Sequence, residues 1–113
     1  MTTTAQIIAG FYNLEGITTE SALNTLSVGA TVSQVAINDP TRVSILFINI
    51  SSDIIYLGYD SSVSDVAGIM LVPNGGSYSL EITSDFALTG YATNAISTGN
   101  ASALMVLTTS INN

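Results

Sequence analysis

The stretch RVSILFINISSDIIYLGYD (Arg42–Asp60) decides the fold of this chain. It contains two runs, Val43–Ile50 and Ile54–Tyr59, in which nearly every side chain is apolar, with a short polar break at Ser51–Asp53. Alternate residues of a strand point to opposite faces, so strands built from these runs are apolar on both faces and must be covered on both. The outer face of a small sandwich normally meets water. We therefore expect the N-terminal segment, another subunit or another protein to cover the outer face here.

The rest of the chain, from about residue 31, repeats this pattern of apolar runs and turn residues. Short runs rich in Val, Ile, Leu and Tyr alternate with Gly, Pro, Asn, Asp and Ser, which predicts an all-β fold. The spacing favours a two-sheet antiparallel sandwich, jelly-roll-like, with about seven to eight strands. Pro73–Gly76 has the residues of a tight turn with positive φ. The expected strands are Thr31–Ile37, Val43–Ile50, Ile54–Tyr59, Ile69–Val72, Ser77–Ile82, Phe86–Tyr91 and Ala103–Thr109.

Residues 1–30 differ in character from the remainder and are expected to form an N-terminal arm or covering segment. The β-sandwich domain would then occupy residues 31–113. Within the arm, Leu23 and Leu26 lie three positions apart in a segment that could form a short helix, Thr18–Ser27. The arm also carries four large side chains worth burying, namely Ile7, Ile8, Phe11 and Tyr12.

The composition excludes several classes of function. Only 8% of the 113 residues are charged, and eight carboxylates against one cation, Arg42, give a net charge of −7. Binding to nucleic acid or to an anionic membrane surface depends on several Lys and Arg side chains, so neither partner is expected. The absence of Cys removes disulfides. With no signal-peptide pattern at the N-terminus and no transmembrane-length apolar segment, we expect a soluble protein without an export signal.

The usual groups of enzyme chemistry are also missing. The chain has no His, Cys or Lys, which removes the common general base, the thiol and amine nucleophiles and the common zinc ligands. We therefore expect no catalytic residue, no cofactor and no metal site. Two weaker alternatives remain: a carboxylate pair acting as a glycosidase, and calcium binding by the loop Asp60–Asp65. Solvated loop carboxylates are the favoured interpretation of both.

Arg42 and the five tyrosines each have two interpretations. Arg42 could make a surface salt bridge with a carboxylate such as Asp39, or a desolvated bidentate pair across a subunit interface. Tyrosine joins an apolar ring to a polar tip, so the tyrosines suit a sugar-binding or interface surface as well as the rim of a core. The core rim is favoured for them.

The order of turns and strands resembles that of small virion proteins of tailed bacteriophages. The residues that carry the resemblance are Arg42 and Ile45, then Tyr56 and Gly58, then the run GIMLVPNGGSYSL (Gly68–Leu80), within about Val43 to Leu107. Such proteins include head decoration (cement) proteins and the β-sandwich tips of tail fibres and tailspikes.

The resemblance implies a homotrimeric structural protein on the outer capsid surface, assembled in the host cytoplasm, that binds the phage major capsid protein and stabilises the head. It is the basis for two sets of expected contacts. The arm residues Ile7, Ile8, Phe11 and Tyr12 would contact the capsid. The subunit interface would include Arg42, Leu46, Ile48, Tyr56 and Tyr59. The alternative is a receptor-binding tip module of a tail fibre or tailspike that recognises a host polysaccharide.

Overall fold

The computed structural model describes residues 18–112, which form eight strands and two short helices. The arm residues expected to contact a capsid, Ile7, Ile8, Phe11 and Tyr12, lie outside the described residues. The strands are β1 (Thr18–Val28), β2 (Ser33–Ala36), β3 (Arg42–Asn49), β4 (Ile55–Gly58), β5 (Ile69–Leu71), β6 (Gly76–Glu81), β7 (Thr93–Ser97) and β8 (Ser102–Asn112). The helix α1 (Ile82–Asp85) and a 3-10 helix (Phe86–Gly90) lie between β6 and β7.

The strands form two four-stranded antiparallel sheets. The front sheet has the order β1-β8-β3-β6 and the back sheet the order β2-β7-β4-β5. Successive strands thus alternate between the sheets except at the β4–β5 connection, which is the strand order of a jelly roll. The predicted all-β, two-sheet antiparallel sandwich is confirmed. Neither helix of the described residues has the length and apolar character needed to cross a membrane.

The core lies between the two sheets and is built from alternate residues of the two apolar runs. From β3, Ile45 and Phe47 point inward, and from β4, Ile55 and Leu57 meet them from the other sheet. Burying each of these side chains stabilises the fold by about 1.5–3 kcal/mol. The residues between them in β3, Ser44, Leu46 and Ile48, are half-buried on the outer face of the front sheet. β3 is therefore apolar on both faces, as the sequence predicts.

The predicted helix within Thr18–Ser27 is wrong, because these residues belong to strand β1. β1 pairs with β8 along its whole length, from Thr18 opposite Asn112 to Val28 opposite Ser102. Leu23 and Leu26 therefore lie on opposite faces of the sheet instead of on one face of a helix. The sandwich includes residues 18–28, which the sequence assigned to the covering segment.

The predicted strand at Phe86–Tyr91 is also wrong. The extended conformation of β6 ends at Glu81, α1 follows at Ile82–Asp85, and the 3-10 helix begins at Phe86, whose backbone has φ 50°. The carboxylate of Asp85 accepts a hydrogen bond of 2.8 Å from the backbone N–H of Glu81, which closes the preceding turn. Strand β7, like β1, was not predicted from the sequence, because its inward residues Thr93, Ala95 and Ser97 are too small to stand out as an apolar pattern.

The turn predicted at Pro73–Gly76 is confirmed. Asn74 has φ 60° and Gly75 has φ 120°, both in the left-handed region. Two backbone hydrogen bonds join the turn to the end of β3 and the loop that follows it. They run from Gly75 N–H to the Asn49 carbonyl (2.7 Å) and from Asn74 N–H to the Ser51 carbonyl (2.9 Å). It therefore sets the distance between β5 and β6 at the end of the sandwich where β3 finishes.

Candidate functional site

The outer face of the front sheet carries an apolar strip made of Leu23, Leu46, Ile48, Met105 and Leu107. The strand register places Leu23, Leu107 and Leu46 side by side in one row across β1, β8 and β3. The next row contains Met105 beside Ile48. Leu23 is 61% exposed and Leu107 is 37% exposed, so no described residue covers the strip at its β1 side.

Small polar side chains surround the apolar strip. On the β1 side, the hydroxyl groups of Ser21 and Thr109 share a hydrogen bond of 3.0 Å. On the β6 side, Ser77 is paired with Ile48 and Ser79 with Leu46. A shallow groove of about 260 Å³ lies beside Leu46, and Ser44, Ser79 and Glu81 contribute to its lining. A groove of this size lies below the range of about 300–1,000 Å³ that is usual for small-molecule sites, so the strip is better suited to contact with a protein surface.

Charge is almost absent from this face. Among the described residues of the two apolar rows and of the row Ser21–Thr109–Ser44, none is ionisable, and the nearest carboxylate on the outer face is Glu81, opposite Ser44 at the β6 edge. The remaining described carboxylates lie in loops, in α1 or on the inward side of β1. An uncharged apolar face on a strongly acidic chain has the composition of an interface core, which is poor in charged residues.

Arg42 does not lie on the surface, contrary to the expected surface salt bridge. Its side chain is 4% exposed and donates to three backbone carbonyls: to Ile37 at 2.8 Å, and to Thr89 and Tyr91 at 3.4 Å each. Burial lowers the pKa of the guanidinium, and the nearby Asp39 opposes that shift. Arg42 thus ties the end of β2 to the 3-10 helix, and its function within this chain is structural.

Asp39 uses its carboxylate within its own turn. One oxygen accepts hydrogen bonds from the backbone N–H (2.9 Å) and the hydroxyl (2.6 Å) of Thr41, and the other accepts from the Ser110 hydroxyl (3.2 Å). The Thr41 hydroxyl is the main reason that the pKa of Asp39 is lowered, and Arg42 adds a smaller effect. The acid therefore closes the β2–β3 turn onto β8.

A buried polar network closes the opposite end of the sandwich, and no sequence signal revealed it. Asn49 is 0% exposed; its amide nitrogen donates to the carbonyls of Asp53 (2.7 Å) and Leu71 (3.0 Å). Its amide oxygen accepts from the backbone N–H (3.0 Å) and the hydroxyl (2.7 Å) of Ser51. All four hydrogen-bonding positions of the amide are thus used to hold the loop after β3 against β5.

The Asp53 carboxylate continues this network toward β8. It accepts a hydrogen bond of 2.8 Å from the Ser102 hydroxyl, which in turn shares a hydrogen bond with the Ser97 hydroxyl. The backbone of Gly99 passes so close to this carboxylate that an added Cβ would overlap it, which explains the glycine at this position. Both serine side chains are buried and their partners lie within the network, so the cluster holds the β3–β4 loop against the β7–β8 loop.

Three tyrosines meet at one edge of the sandwich: Tyr59 follows β4, Tyr78 lies in β6 and Tyr91 follows the 3-10 helix. The hydroxyls of Tyr59 and Tyr78 share a hydrogen bond of 3.1 Å, and the rings of Tyr59 and Tyr91 lie edge to face with centroids 6.3 Å apart. Burial is the main cause that raises the pKa of Tyr59 above its ordinary value, followed by its bond to Tyr78. Tyr59 and Tyr91 keep more than a third of their surface exposed. This tyrosine edge is a second candidate binding surface.

The loop Asp60–Asp65, the possible calcium site of the sequence, uses one of its two carboxylates for hydrogen bonds inside the loop. The carboxylate of Asp60 accepts hydrogen bonds from the backbone N–H and the hydroxyl of Ser62, and these contacts lower the pKa of Asp60. Within residues 18–112, no group of three or more acidic, His or Cys side chains is close enough to hold a metal ion. The Asp60 side chain stabilises its own turn.

The structure separates the residues that the sequence analysis proposed for a subunit interface. Leu46 and Ile48 lie together in the apolar strip, whereas Tyr56 lies on the outer face of the back sheet between Met70 and Ile96. Tyr59 belongs to the tyrosine edge and Arg42 is buried. Leu23, Met105 and Leu107 were not among the predicted interface residues. The run Leu104–Leu107, which is apolar on both faces like β3, was the available signal.

The fold and these surfaces define the class of protein as an all-β jelly-roll sandwich. No family model matches the chain, and no curated protein sequence matches it. Among solved structures, it is similar to a chain from Bacillus endospore appendages, which form a family of disulfide-linked pili. That similarity has a TM-score of 0.52 at 13% identity and covers 86% of this chain and 88% of the other. It shows a shared fold.

The chain is also similar to dTDP-4-dehydrorhamnose 3,5-epimerase from Bacillus anthracis strain Ames. The TM-score is 0.44 at 9% identity, with 98% of this chain and 62% of the enzyme covered. A similarity of this degree carries no argument about the activity of the present chain.

Proposed function

We propose that this chain is a structural virion protein, a capsid decoration protein that binds the outer surface of a phage head as a homotrimer and stabilises it. The observation that carries the proposal is the apolar strip of the front sheet. Its two central rows contain no charge, although the chain has a net charge of −7. Such a face gains little from a charged ligand and much from shape-matched contact with another protein surface.

The fold is compatible with this role. Jelly rolls are common in viral capsid and lectin domains, although a fold alone does not determine function. The Bacillus appendage neighbour belongs to pili, which are assemblies of many copies, and this supports a structural role for a sandwich of similar size. The present chain has no Cys, so copies would associate through non-covalent contacts, unlike those disulfide-linked pili.

A decoration protein acts through buried area and shape, and needs no catalytic group. The major capsid protein is the proposed partner, and the arm residues Ile7, Ile8, Phe11 and Tyr12 are the proposed capsid contact. The sandwich would stand on the outer surface and join neighbouring capsid subunits. Its rigid ends, closed by the Asn49 network and by Arg42, suit a protein that resists mechanical load.

The test is binding of the purified chain to phage heads assembled without it. We expect the intact chain to sediment with these heads and to raise the temperature at which they release DNA. Deletion of residues 1–15 should abolish binding while leaving the circular dichroism of the sandwich unchanged. Leu46→Lys should weaken binding or trimer formation, whereas the matched control Val66→Lys, at a side chain that is 90% exposed, should do neither. Heads that bind none of the intact chain would refute the proposal.

A second candidate function is recognition of a host polysaccharide by a tail-tip module, and the tyrosine edge favours it. Exposed tyrosine rings such as Tyr59 and Tyr91 offer apolar faces for sugar rings and hydroxyls for hydrogen bonds. Titration of host surface polysaccharide into the chain, followed by calorimetry, tests it. Binding that is lost in Tyr91→Ala and kept in Leu46→Lys would replace the capsid proposal with this one.

A further inference from the structure

Strand β1 has one edge left unpaired by residues 18–112, and β1 differs from the other edge strands of the two sheets. It is 11 residues long, and among the described residues it pairs only with β8. The other edge strands are shorter: β6 has six residues, β2 has four and β5 has three. β1 contains no Pro and no Lys, and its one charged residue is Glu20. Proteins usually shorten, charge or cover an edge that must stay unpaired. Among residues 18–112, the protection found along β1 is a single inward-facing charge, Glu20, near one end of the strand.

The sequence of β1 is complementary to itself when two copies run antiparallel. Leu23 is the middle residue of Thr18–Val28, so pairing Leu23 with its counterpart aligns all 11 residues. On the outer face, Ser21 then lies opposite Thr25, so no charge is introduced. On the inner face, Glu20 lies opposite Leu26, and the two Glu20 carboxylates are about 20 Å apart along the strands, beyond the screening length of about 8–10 Å.

The same register makes the apolar strips of two copies continuous. The row Leu46–Leu107–Leu23 of one copy meets the equivalent row of the other at Leu23, so six leucines line one face of an eight-stranded sheet. Pairing along 11 residues forms roughly ten backbone hydrogen bonds, the number usual in a stable protein interface. In this pairing, the unpaired N–H and C=O groups of the edge exchange water for backbone partners in the second copy.

We propose that β1 is the contact between two copies of this chain, which pair antiparallel about a twofold axis at Leu23. A second copy fits this edge better than an unrelated partner for two reasons. In this register, residue i of one copy lies opposite residue 46 − i of the other, so the match depends only on the sequence of β1. Two chains of the same negative charge also approach most easily where charge is sparse, and β1 carries only Glu20, near one end of the contact.

The β1 contact depends only on the unpaired edge of β1 and is independent of capsid binding. A twofold contact joins copies in pairs and does not close a ring of three. With the threefold contact of the proposed function present and its axis crossed at right angles by the twofold axis, the closed assembly has six copies; without that contact, it has two. Capsid binding and β1 pairing can therefore fail separately.

The first measurement is the mass of the full chain in solution by sedimentation equilibrium at micromolar concentration. We expect two or six copies; a monomer or a trimer would overturn the proposal. Leu23→Lys places two like-charged side chains opposite each other, with Cα atoms about 5 Å apart, and should reduce the assembly to its half. The control Met70→Lys, at an exposed position of the back sheet, should leave the mass unchanged.

The second measurement tests the register, since the chain has no Cys and a single introduced one can be spin-labelled selectively. Labels at exposed outer-face positions of β1 should give backbone separations of about 5 Å at 23, about 15 Å at both 21 and 25, and about 27 Å at both 19 and 27. The minimum at 23 and the equal values on either side define the twofold axis. Any other pattern in an assembly of two or six copies would refute the β1 contact.

Discussion

Replacing Asn49 should test whether its buried amide holds one end of the sandwich together. In Asn49→Ala, the carbonyls of Asp53 and Leu71 lose their donor, and Ser51 loses its acceptor. A neutral hydrogen bond contributes about 1 kcal/mol net, and a buried group left without a partner costs about 1–3 kcal/mol. Water can reach the half-buried Ser51, so the two carbonyls and the small cavity dominate. We expect the free energy of unfolding to fall by about 3–4 kcal/mol, out of about 5–15 kcal/mol for such a domain.

Asn49→Asp keeps the shape of the side chain and changes only its donor capacity. The new carboxylate would face two carbonyl oxygens in a buried site, so its pKa in the folded protein would be raised above the unfolded value of about 3.9. A raised acid pKa costs stability as the pH rises above the unfolded pKa, by about 1.4 kcal/mol for each unit of the shift. The variant should therefore be closer to the wild type at pH 3 than at pH 7.

The assay is urea unfolding of the wild type and each variant at both pH values, with the difference from the wild type taken at each pH. Asn100→Ala and Asn100→Asp are the matched controls, because Asn100 is an exposed turn residue. We expect both controls to stay within about 0.5 kcal/mol of the wild type. An Asn49→Ala variant within 1 kcal/mol of the wild type, or an Asn49→Asp difference independent of pH, would refute the assigned network.

Three further predictions concern the core, a close approach and an acid turn. Phe47→Ala should lower the free energy of unfolding by about 3–5 kcal/mol, measured by urea unfolding, while Val66→Ala should leave it unchanged. Gly99→Ala should lower the melting temperature, because the new methyl group overlaps a neighbouring carboxylate; an unchanged value would contradict the described loop. Thr41→Val should remove the main cause of the lowered pKa of Asp39. A lowered acid pKa stabilises the fold above about pH 4, and this stabilisation is lost as the pH falls through the folded pKa. The difference in the free energy of unfolding between the wild type and Thr41→Val should therefore shrink in acid.

The sequence predicts the strands with large β-branched or aromatic side chains well, and the others poorly. β3 and β6 carry regular patterns of such residues and were located to within about two residues. β1 was missed because only Leu26 and Val28 mark its inward face, while hydroxyl side chains occupy much of the rest. β7 was missed because its inward residues are Thr93, Ala95 and Ser97. β1 forms because it pairs with β8, and β7 forms because it pairs with β4. These pairings join residues that are distant in sequence, so a local sequence pattern does not predict them.

The candidate surfaces show the same division. The outward positions of Leu46 and Ile48 follow from the alternation within β3 alone. The row that joins Leu46 to Leu107 and Leu23 depends on the register of three strands that are distant in sequence, so no local pattern could predict it. The contact between Ser102 and Asp53 spans 49 residues and has no motif. Arg42 was expected at the surface because lone cations usually lie there, but three carbonyls from two separate loops solvate it inside the fold.

The burial of Arg42 has a consequence for how the molecule behaves among others of its kind. Because Arg42 is the chain's one Lys or Arg side chain, every charged side chain exposed on the described surface is a carboxylate. Copies therefore repel one another at long range, and added salt screens that repulsion over about 8–10 Å at physiological ionic strength. Association through uncharged surfaces should then become tighter as salt is added, the reverse of an assembly held by ion pairs. A particle coated with many copies would carry a uniformly anionic outer layer, which keeps it dispersed and away from nucleic acid.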